Sequence, residues 1–277
     1  MPADSTFTAA AVQMRSGADK HRNLAAAERL VAEAAGLGAR VVALPEMFNC
    51  LAAHEEMARQ AETIPGETSE RMGTLARRHG IFLLAGSIAE MAGGDGPPRI
   101  FNTSLLFGPS GEELARYRKI HLFDVDLEDG PHLAESRWFS PGDEVRAVAT
   151  PLGRFGLSIC YDLRFPSLYT ALSRRGTDIV FVPSAFTAVT GEAHWEVLLR
   201  ARAIESQAIV IAPNQCRGGF PGVETYGHSA IIDPWGRILA SAGDDDGEAV
   251  VSAGVSLDDV RRIRRQLPAL EHRRDLR

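Results

Sequence analysis

Short apolar runs alternate with stretches of helical periodicity along this chain, and that alternation restricts its architecture more than any other feature. Residues 7–14 form a small-residue and β-branched run that reads as a strand. Residues 19–36 carry Leu24, Ala27, Leu30, Val31 and Ala34 at helical spacing, and residues 41–44 make a second strand that Pro45 stops. The pairing recurs as helix 69–79 with strand 81–85, helix 166–175 with strand 178–182, and helix 192–206 with strand 208–212. A chain patterned in this way belongs to the α/β class.

Two strand-turn-strand units resemble each other. NTSLLFGPSGEELA at 102–115 and GHSAIIDPWGRILA at 227–240 share a serine, an apolar triplet and a Pro-x-Gly turn. Proline presets φ at the turn and glycine permits positive φ beyond it, so each predicts a β-hairpin. Their matched register in the two halves of the chain favours two pseudo-equivalent sheets packed face to face. The Gly-rich stretches at 91–98 and 242–247 are short enough to be loops, so residues 1–277 read as one domain.

The net charge of −6 provides no basic footprint for nucleic acid. The N-terminus has no charged-then-apolar leader, and no apolar run approaches the ~18 residues of a membrane span. A soluble, cytoplasmic protein is expected. Cys50, Cys160 and Cys216 are an odd count without a C-x-x-C, which fits reduced thiols and neither a disulfide framework nor a zinc site. The arginines at 261–265 read as a solvated helix face.

Cys160 lies in GLSICYDLRFP, residues 156–166, between a strand-like run and a helical segment. A nucleophile on such a connection faces the ligand, with backbone N–H groups available to an oxyanion; a buried packing cysteine is the alternative. No histidine offers an obvious base with an orienting acid. Glu46 directly follows a strand end, where ligands collect in α/β sheets, and is either a site residue or a helix N-cap. Lys119 ends the second strand of the first hairpin and, taken alone, reads as an ordinary exposed lysine. Together the three make chemical sense: an ammonium favours a thiolate and stabilises an oxyanion, while a desolvated glutamate serves as acid and base.

At these residues the chain resembles the nitrilase superfamily of carbon-nitrogen hydrolases. The family's three motifs match LPEMFN at 44–49, YRKIHLF at 117–123 and GLSICYD at 156–162, in the right order. The resemblance runs over nearly the whole chain. It implies a four-layer αββα sandwich of two mixed sheets, often assembled as a homodimer or higher oligomer, with no metal or organic cofactor. It also implies a second glutamate, falling on Glu135, that orients Lys119 and the attacking water, and an oxyanion donor in the Tyr161 backbone N–H.

The segment CYDLRFP is similar to the Nit-type amidase branch, which implies a small carboxylate-bearing amide as substrate. Deaminated glutathione is the first expectation and the ω-amides of 2-oxo acids are the second. Arg164, Arg202 and Arg217 are candidates to meet the substrate carboxylate. Phe186, Thr187 and His194 are candidates to line the acyl pocket, with His194 equally readable as an interior histidine. Ser167, where the branch has Glu, and Glu192, in place of Pro, depart from its pattern and bear on substrate detail. A thiol-sensing scaffold is the rival of another class, but thiol sensing needs no paired carboxylates. A metal-dependent hydrolase would need clustered ligands at short spacing, which the sequence lacks.

Overall fold

The computed structural model describes residues 5–93, 98–128, 131–243 and 247–274. The tips of the loops expected at 91–98 and 242–247 therefore lie outside the described residues. The chain begins with β1 (Thr6–Gln13), α1 (Lys20–Gly36), β2 (Ala39–Ala43), α2 (His54–Arg59) and α3 (Glu67–His79). It continues with β3 (Phe82–Ala92), β4 (Arg99–Phe107) and β5 (Glu113–Arg118), then a ribbon of β6 (Asp124–Asp126) and β7 (His132–Ala134). The second half holds β8 (Ala147–Thr150), β9 (Gly153–Leu157), α4 (Pro166–Arg174), β10 (Ile179–Phe181), α5 (Ala188–Ser206) and β11 (Ile209–Ala212). Last come β12 (Ala230–Ile232), β13 (Ile238–Ser241), β14 (Ala249–Ser256) and α6 (Leu257–Gln266).

The helices start and stop where local chemistry directs. Asp19 caps α1 by accepting the Arg22 N–H, Pro166 opens α4, and Gly80 closes α3 with a left-handed φ of 63°. Ser256 caps α6, on which Arg261 and Arg262 pair with Asp258 and Asp259. Arg264 departs from the expected solvated face. It reaches inward to the Asp178 carboxylate at 2.8 Å and to the Thr177 carbonyl, pinning α6 to the entrance of β10.

Two six-stranded sheets result, ordered β14-β1-β2-β3-β4-β5 and β13-β12-β11-β10-β9-β8. In each, three central parallel strands are flanked by antiparallel neighbours. The two matched hairpins are β4–β5 and β12–β13, each at a sheet edge. Alternation sorts the side chains of the first sheet. Ala9, Ala11, Val41, Ala43 and Leu84 face a core shared with β9, β10 and β11, whereas Ala10, Val12, Val42 and Leu83 face α1 and α3. Phe82 meets Phe155 edge-on across the two sheets, and Phe155 meets Phe181, pairs worth about 0.5–1.5 kcal/mol each beyond their burial. With α4 and α5 packed through Leu172, Trp195 and Leu199, the layers run αββα.

Candidate active site

The carboxyl ends of the parallel strands lie together, and the loops leaving them stitch the sheets to one another. Gln215, beyond β11, donates to the Glu46 carbonyl beyond β2 and to the Ser16 hydroxyl beyond β1. The Cys160 N–H donates to the Pro183 carbonyl at 3.0 Å, tying the loop after β9 to that after β10. Backbone conformation at this seam is unusual. Met47 and Cys160 both have left-handed backbones, with φ of 51° and 45°, which non-glycine residues rarely adopt and which cluster at functional sites. A Cβ on Gly86 would lie 1.8 Å from the Pro45 carbonyl oxygen, so only glycine lets β3 approach the Glu46 corner.

Four side chains converge there, all nearly excluded from solvent: Glu46, Lys119, Glu135 and Cys160. Lys119 Nζ lies 2.9 Å from Glu46 Oε1 and 2.9 Å from Glu135 Oε2. Glu46 is not a helix cap. Its Oε2 accepts the Ala185 N–H at 2.8 Å, and it lines the same pocket as Cys160. Glu135, in a 3-10 turn after β7, also accepts the Phe123 N–H at 2.6 Å.

Electrostatics fix the resting protonation states. Burial pushes the Glu46 carboxyl up, but the Lys119 charge and hydrogen bonds from Lys119, Cys160 and the Ala185 amide outweigh it and hold the group below its ordinary value. Burial opposes charge on Lys119 too, yet the two carboxylates hold its pKa well above the usual range. Cys160 goes the other way. Burial and the Glu46 charge raise its pKa far more than Lys119 lowers it. Burial and Glu46 thus push Cys160 toward the thiol, opposite to the direction in which lysine proximity alone would move it.

Asp162 joins the two halves of the arrangement. Its Oδ2 accepts the Tyr117 hydroxyl at 2.7 Å and the Ile159 N–H at 2.9 Å. Its Oδ1 accepts the His121 N–H at 3.1 Å and lies 2.7 Å from His121 Nδ1. The segment bearing Lys119 is thereby fastened to the turn bearing Cys160. Asn102, on β4, donates to both Glu46 and Glu135. Neither Asp162 nor Asn102 was singled out in the sequence, although both stand inside quoted motifs: short polar residues are common there, and only contact distances reveal what they join.

Cys160 opens into a pocket with two limbs. The larger is lined by Glu46, Leu51, His54, Met57, Phe220 and Val223, and the smaller by Tyr161, Arg164, Phe186 and Thr190; Phe123, Ala185 and Thr187 border both. His54, also absent from the sequence reading, is kept neutral chiefly by burial and sits edge-on to Phe139. Of the three candidate arginines, only Arg164 lines the pocket. Arg202 is buried behind it, donating to the Leu163 carbonyl and pairing with Glu205, while its guanidinium lies over Tyr169. Arg217 is exposed and pairs with Glu224 at 2.9 Å. His194 is neither interior nor in the pocket lining: it is exposed on α5, with Nδ1 3.2 Å from an Arg164 nitrogen. Among the described residues, no group of three or more His, Cys, Asp or Glu side chains is arranged to hold a metal ion, and no helix is long and apolar enough to cross a membrane.

Comparison with known proteins places this geometry in context. The model of the carbon-nitrogen hydrolase family matches residues 8–265. A deaminated glutathione amidase of Synechocystis is 45% identical over 269 residues, covering 96% of this chain and 98% of its own length. The omega-amidase NIT2 of Xenopus tropicalis is 40% identical over 268 residues, covering 97% of this chain and 95% of its own. The crystal structure of the C. elegans NitFhit protein superposes with a TM-score of 0.88 at 37% identity, over 98% of this chain and 66% of that one.

Proposed function

The chain belongs to the carbon-nitrogen hydrolase family, and on that premise we propose that it is a cysteine-dependent amidase acting on a small, carboxylate-bearing amide through an acyl-thioester. The observation that carries this reading is geometric: Glu46, Lys119, Glu135 and Cys160 are buried together around one pocket, with Lys119 Nζ 2.9 Å from each carboxylate. Glu46 takes the thiol proton as Sγ attacks the amide carbonyl. The tetrahedral oxyanion is stabilised by the Lys119 ammonium and the Tyr161 N–H. Glu46 then passes its proton to the amide nitrogen as the C–N bond breaks, and the amine leaves with the acyl group held on Cys160. Water gives a proton to Glu46 and attacks the thioester. The second tetrahedral intermediate collapses to the acid, and Cys160 recovers its proton. Glu135 keeps Lys119 charged and aimed throughout.

The first-choice substrate is deaminated glutathione, supported by the 45% identity to an amidase of that name. The ω-amides of 2-oxo acids are the second choice, supported by the omega-amidase relative. Arg164 is the residue to receive the substrate carboxylate. It lines the pocket beside Cys160, and among the described residues it has no acidic partner of its own. Its guanidinium is braced over Phe186 at 5.1 Å and by His194. Thr187 and Phe186 close the acyl end.

Free, buried cysteines suit a reducing compartment, so the cytoplasm is the proposed location. A homodimer through α5 is the proposed assembly, because Val197 and Ile204 are exposed there beside Trp235.

The test is amine or ammonia release across deaminated glutathione, 2-oxoglutaramate, 2-oxosuccinamate, N-carbamoyl amino acids and simple nitriles. Deaminated glutathione should give the highest kcat/KM, and a preference for either 2-oxo acid ω-amide would replace the first choice by the second. Cys160→Ala should be inert while unfolding as the parent does. Turnover by that variant would remove the nucleophile assignment.

A further inference from the structure

Asn102 occupies the centre of the site. Its Nδ2 lies 2.8 Å from Glu46 Oε1 and 3.1 Å from Glu135 Oε1. Those oxygens also accept from Lys119, and the Lys119 backbone N–H donates to the Asn102 carbonyl at 2.8 Å. One residue therefore holds the lysine by its main chain and both lysine partners by its side chain. The amide orientation is forced, because turning it over would press Oδ1 against two carboxylate oxygens. In this orientation Oδ1 is buried and has no hydrogen-bond partner among the described residues. A buried acceptor left unpaired is unfavourable and calls for an explanation. Here both amide hydrogens are committed to the carboxylates.

We propose that Asn102 is a positioning residue of the active site, whose side-chain amide cross-links Glu46 and Glu135 and sets the proton affinity of Glu46. The inference rests on the reading of Glu46 as the acid-base group. A neutral donor to a carboxylate favours its ionised form. It strengthens when Glu46 has given up its proton and weakens when Glu46 holds one. The amide thus keeps Glu46 ready to accept from Cys160 and willing to release to the departing nitrogen. An aspartate here could not do this, because it would add a third negative charge around one lysine. The other groups facing Glu46 are Lys119 from the end of β5, Glu135 from the turn after β7, the Cys160 thiol, the Ala185 N–H and, across the pocket, His54 at the start of α2. None bridges the two carboxylates as a neutral group.

The experiment is the pH dependence of kcat/KM for the full-length enzyme and for Asn102→Ala, Asn102→Ser and Asn102→Asp, on the amide that the parent hydrolyses best. Removing the donors raises the Glu46 pKa, so the base stays protonated to higher pH and the acidic limb moves up. A shift of about one unit is expected for Asn102→Ala, about tenfold in rate on that limb. Asn102→Ser, with one hydroxyl hydrogen, should shift less, and Asn102→Asp should shift more. An unmoved acidic limb with uniformly lower rates would make Asn102 a packing residue and overturn the proposal, as would parental kinetics. If Asn102→Ala does not fold, the Asn102→Ser comparison decides; failure of both to fold assigns a structural role and overturns it equally. Turnover surviving Cys160→Ala is a separate outcome, which removes the underlying reading.

Discussion

One ammonium between two carboxylates leaves the Glu46-Lys119-Glu135 cluster with a surplus negative charge when all three are ionised. Burial first, and then the Glu46 charge beside it, push the Cys160 thiol's pKa up, because a further anion there is unfavourable. In the proposed mechanism, proton transfer to Glu46 coincides with attack by Cys160. The same residue-level reasoning selects Arg164 over its two rivals, since Arg202 and Arg217 already have acidic partners. Replacing Arg164 by alanine should lower kcat/KM for a carboxylate-bearing amide by about 10–100-fold, the worth of one charge-assisted hydrogen bond of roughly 1.5–3 kcal/mol. A neutral amide of the same length should be hydrolysed at the parental rate. Steady-state kinetics on the pair of substrates checks this, and equal losses on both would point to a collapsed pocket instead. Glu46, Lys119, Cys160 and Glu135 were legible in sequence motifs because the proposed chemistry needs particular functional groups. The choice among three arginines was not legible, because any of them could be solvated, structural or functional until its partners are seen.

Elements owe their relative placement to a few buried polar joints. Asp162 takes four hydrogen-bond donors from the end of β5 and the turn after β9, so the lysine and the cysteine share one anchor although 41 positions separate them. Burial, with the Asp162 charge, keeps Tyr117 a neutral phenol able to donate. Asp162→Asn would set an NH2 group against donors it cannot accept from. Unfolding in urea should show a loss of about 1–3 kcal/mol, the penalty of unsatisfied buried groups. Turnover should fall through kcat with little change in KM, because the pocket wall is untouched while the lysine drifts from the cysteine. Parental kcat in a destabilised Asp162→Asn would restrict the carboxylate to folding. The central strands and most of the helices packed on them were readable from periodicity, whereas α2, β6, β7, β8 and β14 were not, and α5 begins at Ala188, earlier than the expected 192. Its Val189, Val197 and Ile204 point outward and blur the apolar stripe on which such a reading depends.

The whole molecule has an outward apolar face that its own layers do not cover. On α5, Val197 is 67% exposed, and Trp235, in the β12–β13 turn that packs on Ile204, is 57% exposed. Light scattering on the purified protein should return twice the 30.0 kDa chain mass, and Val197→Asp with Ile204→Asp should return one chain. A monomeric parent would overturn the proposed dimer. At this scale the division between sequence and structure is plain. Periodicity determined the α/β class and the central strands and their helices, and turn residues the matched hairpins, because these depend on neighbours within a few residues. Motif chemistry nominated the acid-base, cationic and thiol groups, because those functional groups are intrinsic to the side chains. Only the tertiary structure decided that Asn102 and Asp162 join them, that Cys160 is buried beside Glu46, and that Arg164 alone of three arginines reaches the pocket. Such properties belong to pairs of residues far apart in the chain, whose distance and burial are set when two sheets close on one another.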